Sequence, residues 1–400
     1  MAEKPQFDCE IAIVGSGMVG MAAALGLAEL GYSVTVLESQ DITTQADVDA
    51  DERSLVCNLA SQRFWQSLNF WSELEPMTTP IESVHVSAKG HFGTVSFHAQ
   101  DFDVTALGYV IPAQQMAKKL LLRTQAHARI QYLYPVQFEQ HQADADGVTL
   151  SYISEGHQQQ LRARLMIAAD GARSRIRTAL GLKTEVKSYR KKAIVCQLST
   201  HKPHQNCAYE RLTEHGPMAI LPTSGQRCGF VWSVPEEQAD NILALSDDDF
   251  ISQAQPRFGF RLGVFSRPST RTVYPLYQIA VPQQYAQRVV LMGNAAHTMS
   301  PVSAQGLNLA VRDVDRLVQV LKKQSMSEPL KDPGQTEILS AYQLSCQDDQ
   351  QQTLQYTDDL MRWFQQDSSL FPMFRSFGLL MIDNNKFLKQ SLFLGAGGFR

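Results

Sequence analysis

The sequence predicts an α/β chain in which a parallel nucleotide-binding sheet carries an inserted, mostly antiparallel sheet and ends in a helical C-terminus. Three observations predict this. A strand–glycine turn–helix–strand unit opens the chain between Cys9 and Glu38. Two later apolar strands, at Leu165–Ala169 and Val289–Met292, each run into a small-residue turn. The stretches between them alternate apolar and polar residues, as half-buried strands do.

The opening unit begins with Ile11-Ala12-Ile13-Val14, a short apolar run of the buried parallel kind. Gly15-Ser16-Gly17-Met18-Val19-Gly20 follows, and the helix after it carries Ala22, Ala23, Leu25, Leu27, Ala28 and Leu30 before Gly31 stops it. Ser33–Leu37 is the second strand, and Glu38 ends it eighteen residues beyond Gly20. Glycines at this spacing permit a tight turn, close approach of a pyrophosphate and helix–strand packing. The helix N-terminus offers free N–H groups to phosphate, and an acid at position 38 suits ribose hydroxyls. The unit therefore reads as a Rossmann-like dinucleotide site.

Composition closes off other classes. With 44% hydrophobic and 19% charged residues among 400, the chain is ordinary globular protein, long enough for two packed domains. A net charge of −4 gives no basic footprint for nucleic acid. Ten histidines without ligand spacing give no metal signal. Six scattered cysteines read as reduced thiols, and the polar N-terminus reads as lacking a signal peptide, so a cytoplasmic location is expected.

The alternating segments, about Ile81–Phe97 and Ala193–Val273, predict the inserted sheet; a helix is expected over Gln114–His127. After Gln305 the pattern is helical to Gln366, broken at Asp332-Pro333-Gly334. The expected division is residues 1–80, 106–185 and 284–325 for nucleotide binding, 81–105 and 186–283 for substrate, and 326–400 for the helical C-terminal region.

Two further motifs sit at strand ends. Ala169-Asp170-Gly171-Ala172-Arg173-Ser174-Arg175-Ile176-Arg177 follows one strand; alone, it is a turn. Gly293-Asn294-Ala295-Ala296-His297, Pro301 and Gln305-Gly306-Leu307-Asn308 follow the other. Small residues there let backbone approach a flat cofactor, and a helix starting near Gln305 would aim its positive end at it.

In this order the three motifs resemble those of the flavoprotein aromatic hydroxylases of the para-hydroxybenzoate hydroxylase type, over nearly the whole chain to about Asp315. Val84–His91, Tyr209–Pro217 and Phe258–Gly263 look like the ubiquinone-biosynthesis branch that hydroxylates 2-polyprenyl-6-methoxyphenol. The resemblance implies FAD in the Rossmann-like domain, with Gly15, Gly17 and Gly20 at the pyrophosphate and Glu38 at the adenosine ribose. It implies that Arg53, Asp170, Arg177, Gly293 and Asn294 contact cofactor, and that Pro301, Gln305, Gly306, Leu307 and Asn308 lie along the flavin ring. Gln115 stands where relatives often offer an arginine. Asn294 replaces a usual aspartate, Ala304 and Ala310 replace frequent glycines, and the helices after Gln335 match poorly.

The implied reaction hydroxylates a prenylated phenol in ubiquinone biosynthesis, with NAD(P)H reducing FAD and O₂ forming a flavin hydroperoxide. A small soluble phenol or benzoate is the alternative substrate, a halogenase is a more distant one, and a non-catalytic FAD-holding member of a biosynthetic assembly is the alternative of another class. For the base that would deprotonate the phenol, His215 and Tyr209 are the candidates; His297 reads as positioning backbone. The apolar stretch Leu370–Ile382 reads as a helix packed on the FAD domain, with a peripheral face at the inner membrane or a protein partner as the competing reading.

Overall fold

In the computed structural model, the described residues are 6–42, 53–90, 92–214, 216–301, 304–325, 331–363 and 378–399. The first sheet runs Tyr285–Ala286, Val289–Leu291, His157–Ala168, Cys9–Val14, Val34–Leu37, Ile130–Leu133. Its last five strands are mutually parallel, with Ile11 beside Val34 on one flank and Leu165 on the other. Alternation sends Ile11, Ile13, Val36 and Ile167 to one face, under the helices Met18–Glu29, Gln305–Ser325 and Thr336–Trp363. Ala12, Val14, Met166 and Leu291 go to the other face. Because helix Met18–Glu29 is wrapped by protein, Gly20 to Ala28 are all buried, which is why it is apolar all round.

Two strands of this sheet, Val136–Ala143 and Val148–Ser154, extend His157–Ala168 as an antiparallel meander that the sequence reading missed. Val136–Ala143 reads QFEQHQA after its valine and lies largely exposed, so it carries little hydrophobic signal.

The second sheet has the order His297–Thr298, Thr272–Ala280, Glu185–Thr200, Arg227–Pro235, Gly216–Pro222, Cys207–Thr213, Ser83–Ala88, Thr94–His98. It is mostly antiparallel, as expected; the exception is Cys207–Thr213, which runs parallel to Ser83–Ala88. One face buries Ile194, Cys196, Met218, Ile220, Phe230 and Trp232 under the helices Glu236–Leu243 and Asp247–Phe258. Those two helices interrupt a segment whose alternation announces only strands. Ser246 caps the second, accepting from the N–H of Asp249 at 3.1 Å, and three aspartates fill its first turn.

The opposite face of this sheet, the inner face, meets Arg53, Ser54 and the end of helix Thr336–Trp363. Gln197 donates to the Ser54 hydroxyl at 2.8 Å, and the Arg53 guanidinium lies 5.2 Å from the Tyr274 ring centre. Strand Ser54–Cys57 belongs to a small third sheet with Gly108–Pro112 and Thr79–Ile81. All six cysteines are buried and none forms a disulfide, so the thiols are core residues. The Asp332 turn forms as expected, with its carboxylate held by Arg288 at 2.6 Å.

Candidate functional site

The three motif-bearing strands, Cys9–Val14, His157–Ala168 and Val289–Leu291, are neighbours, so their carboxyl ends form one ledge. Backbone bonds lock the ledge: Ala169 donates to the Val14 carbonyl and Met292 to that of Ala168, both at 2.9 Å. Ligands in open α/β sheets bind outside such strand ends.

The glycines of the first turn have different duties. A Cβ on Gly15, at φ +105°, would sit 2.5 Å from the Ala169 oxygen; one on Gly20 would sit 2.0 Å from the Gly15 oxygen. Both are required by the fold itself. Gly17, by contrast, caps the helix with relaxed dihedrals, and among the described residues nothing lies within 4 Å of a Cβ there. No side chain caps this helix and no acid lies in its first turn, so its N–H groups stay available to an anion.

Glu38 reaches back across the turn. Its carboxylate accepts from the Ser16 N–H and hydroxyl, each at 2.8 Å, from the Gln40 N–H at 2.9 Å and from the Ser39 hydroxyl at 3.1 Å. Burial works against its charge, but the Gln40, Ser16 and Ser39 donors outweigh it and hold the carboxyl below its ordinary value. A ribose hydroxyl would therefore compete with Ser16 for an oxygen already ionised and aimed.

At the second motif, Asp170 Oδ2 accepts weakly from the Ile176 N–H at 3.3 Å, while Oδ1 is buried with no partner. A buried carboxylate oxygen without a donor asks for one from a ligand. Arg177 is different. Its guanidinium donates to the Ala295 carbonyl at 2.9 Å and the Ala172 carbonyl at 2.8 Å, and so pins the second motif to the third.

In the third motif, Gly293 adopts φ +61° and a Cβ would press on Val19 at 3.0 Å, which keeps this turn against the first. The Asn294 side chain is exposed, as is Pro301. Ala304 takes φ +52°, the left-handed conformation that explains why a glycine is frequent there. Gln305 is buried; it donates to the Ala396 carbonyl at 3.3 Å, leaving its own oxygen without a partner. Gly306 meets only Met299, at 3.7 Å from a notional Cβ, and Leu307 is half-buried. The Asn308 side chain is fully engaged, accepting from the Asn58 N–H and Ser61 hydroxyl and donating to the Val56 and Ala304 carbonyls. Any contact of Asn308 with cofactor must come from its backbone.

Behind this motif lies a buried polar network. His297 and Asp313, each 1% exposed, meet at 2.6 Å. Gln350 also donates to Asp313 at 2.8 Å, and Arg312 and Arg316 both bind Asp349 at 2.7 Å. His297 thus ties the third motif to the two long helices, in keeping with a positioning role.

Other expected site residues are placed elsewhere. Gln115 is on the exposed side of helix Ala113–Gln125, whereas Gln114 is half-buried. Tyr209 packs edge-on against Phe258 at 6.3 Å, on the helix-covered face of the large sheet. It therefore points away from the ledge, because alternation along the strand sends it opposite to the inner face. His215 lies outside the described residues. The residue that sequence reasoning passed over is Glu210, beside Tyr209; the signal was its place between Ala208 and Leu212, the inward positions of an otherwise apolar alternation.

The donor set fits a flavin dinucleotide: an open glycine turn at a bare helix N-terminus, an ionised Glu38 at the end of the second strand, an unpartnered Asp170 oxygen and a second helix that starts at Gln305 with no acid in its first turn. Residues 8–357 match the FAD binding domain family model, which extends well past Asp315 into the helix Thr336–Trp363. Ubiquinone hydroxylase UbiL of Rhodospirillum rubrum is 31% identical over 382 residues, covering 95% of this chain and 87% of its own. The 3-demethoxyubiquinol 3-hydroxylase of Escherichia coli is 28% identical over 316 residues, 78% and 79% of the two chains. The p-nitrophenol 4-monooxygenase PnpA of Pseudomonas putida shares the fold, with a TM-score of 0.80 over 98% of both chains at 16% identity.

Proposed function

The chain belongs to the FAD binding domain family, and from that membership we propose that it hydroxylates a prenylated phenol ring in ubiquinone biosynthesis, using NAD(P)H and O₂. The observation that carries the reading is the meeting of three strand-end motifs on one ledge, joined through His297–Thr298 to the large sheet, whose inner-face residues Val195, Ala219, Leu221 and Val231 keep partial exposure. The bound flavin supplies the oxygen activation that no side chain offers. The chain's own residues bind and orient. Gly15, Gly17 and Gly20 receive the pyrophosphate and Glu38 the ribose; Arg53, Asp170 and the Gly293–Asn294 turn hold the middle of the cofactor. Pro301 and the backbone of Gln305 to Asn308 line the ring, with Arg177 fixing the ledge from behind. The apolar inner face holds the phenol and excludes water.

The substrate's prenyl tail favours contact with a lipid surface. Among the described residues no helix is long and apolar enough to cross a membrane. The terminal helices do expose Met381, Phe387 and Leu388, and Phe387 is 83% exposed. Peripheral attachment at the inner membrane, alone or within a ubiquinone-biosynthesis assembly, follows from that surface.

Deleting the gene and extracting quinones tests the reaction: accumulation of a prenylated phenol lacking one hydroxyl is expected. Normal ubiquinone in the deletion, together with turnover of a water-soluble phenol by the purified enzyme, would transfer the reading to the small-phenol class. Liposome flotation of the intact chain against Phe387→Ser/Leu388→Ser tests the membrane contact, and equal flotation of both rejects it.

A further inference from the structure

Glu210 lies in the strand Cys207–Thr213, where neighbours alternate between faces. Tyr209 goes to the helix-covered face. Ala208 and Leu212 go to the inner one: Ala208 packs with Ile81 and Val110, and Leu212 with Ala88, Leu360 and Leu379. Glu210 shares their side. The register sets Val86 beside it on one flank and Ala219 on the other, with Val231 and Val195 continuing the row. Its four nearest neighbours on that face are therefore apolar. Among the described residues its carboxylate has no hydrogen-bond or ion partner, and Leu360, Met361 and Leu379, from the C-terminal helices, pack on this row and beside it. Glu210 is half-buried, so its carboxylate keeps some access to solvent; loss of water around it pushes its pKa up, to about 8, and no charged group contributes to that rise.

The same face carries the contacts to Arg53 and Ser54. Gly229, close under Ser54, lies two strands from Cys207–Thr213. Strands spaced about 4.8 Å apart put Glu210 roughly 10 Å across the sheet from that contact, on the same face. A carboxylate stranded on an apolar wall costs stability whenever it ionises. A ligand hydroxyl at the wall turns that cost into binding, since it gives the anion its missing donor. A phenol loses its proton near pH 10, so an acceptor poised near neutrality is a far better match than an ordinary glutamate near 4.3.

We propose that Glu210 is a catalytic residue of the hydroxylation, its carboxylate accepting the proton of the bound phenol hydroxyl. The phenolic O–H bond breaks, an O–H bond forms on Glu210, and the electron pair stays on the phenol oxygen, enriching the ring carbon beside it. No oxidation occurs in this step, and the proton returns to that oxygen in the product. The inference rests on the phenol-hydroxylase reading and names the group that receives the substrate hydroxyl.

The test uses the FAD-loaded full chain, wild type and Glu210→Gln, with a prenylated phenol as probe. Binding is read from the phenol's own absorbance between pH 6 and 9, and turnover is read separately as hydroxylated product. Wild type should bind with a growing phenolate signature as pH rises through about 8. Glu210→Gln should lose that signature and at least tenfold in kcat, with unchanged FAD occupancy. Thermal melts give a second readout. A raised carboxyl pKa means stability lost as pH rises from the unfolded value through about 8, so the variant should gain on wild type progressively over that window; if Glu210→Gln fails to fold, Glu210→Leu replaces it. Phenol binding, pH profile and turnover equal to wild type in the variant would overturn the proposal, as would failure of wild type to bind any phenol. Binding that depends on Glu210 without any hydroxylated product would uphold the contact and overturn the hydroxylase reading.

Discussion

Gly17→Ala separates cofactor binding from folding in a way its neighbours cannot. At Gly17 the backbone is at φ −63° and ψ 171°, which any residue adopts, and nothing lies within 4 Å of the added methyl. The free protein should therefore stay within about 1 kcal/mol of its stability, because the gain of about 0.4–1 kcal/mol from a less flexible unfolded chain is offset by alanine's poorer fit at a helix N-cap. On the proposed assignment the methyl enters space that the pyrophosphate would share. Overpacking of that kind costs about 1–3 kcal/mol, which at about 1.4 kcal/mol per decade weakens FAD roughly 5- to 150-fold. Gly15→Ala and Gly20→Ala are the contrasting controls: their methyls would collide with backbone oxygens at 2.5 and 2.0 Å, and little folded protein is expected. The assay is FAD titration by flavin fluorescence quenching beside urea unfolding of cofactor-free protein. An unchanged FAD dissociation constant in Gly17→Ala would refute the assignment of this space to the phosphates.

Three other outcomes are expected. Glu38 is held below its ordinary pKa, so its contribution is present above the unfolded value and is lost as pH falls through the folded one; Glu38→Gln should destabilise by about 1.5–3 kcal/mol at neutral pH, and the urea-midpoint difference should close toward acid. Asp313→Ala strips partners from His297, Gln350 and Arg316 in the interior, so a loss of about 3–5 kcal/mol is expected; a shift under 1 kcal/mol would show the network to be incidental. At Ala304 the left-handed backbone costs about 1–2 kcal/mol against glycine's entropy cost of about 0.5–1 kcal/mol. Ala304→Gly should thus be neutral or raise the melting temperature, and a clear drop would contradict the φ of +52°.

Much of the scaffold is legible in the amino-acid order because its causes are local. The glycine turn, the apolar strand Ile11–Val14 and the Asp332 turn are each set by residues within reach of one another. What escaped was the meander at Val136–Ser154, since a mostly exposed strand has no apolar alternation to read, and the helices at Glu236–Leu243 and Asp247–Phe258. The site divides the same way. Sequence motifs singled out Gly15, Glu38, Asp170 and Gly293 as candidates, but they could not tell a glycine the fold requires from one that leaves room for a ligand.

The sequence by itself determined the nucleotide turn, the order of the three strand-end motifs and the family they belong to, because each rests on local backbone demands. Only the tertiary structure decided which side chains are spent on the protein and which remain free to act. Arg177 and Asn308 turn out to be bound to backbone groups far along the chain. Tyr209 and Glu210, adjacent in sequence, part company: strand alternation puts one under helices and the other on the inner face. That division follows from register and sheet packing, which bring together residues from distant segments, and no local pattern of residues encodes it.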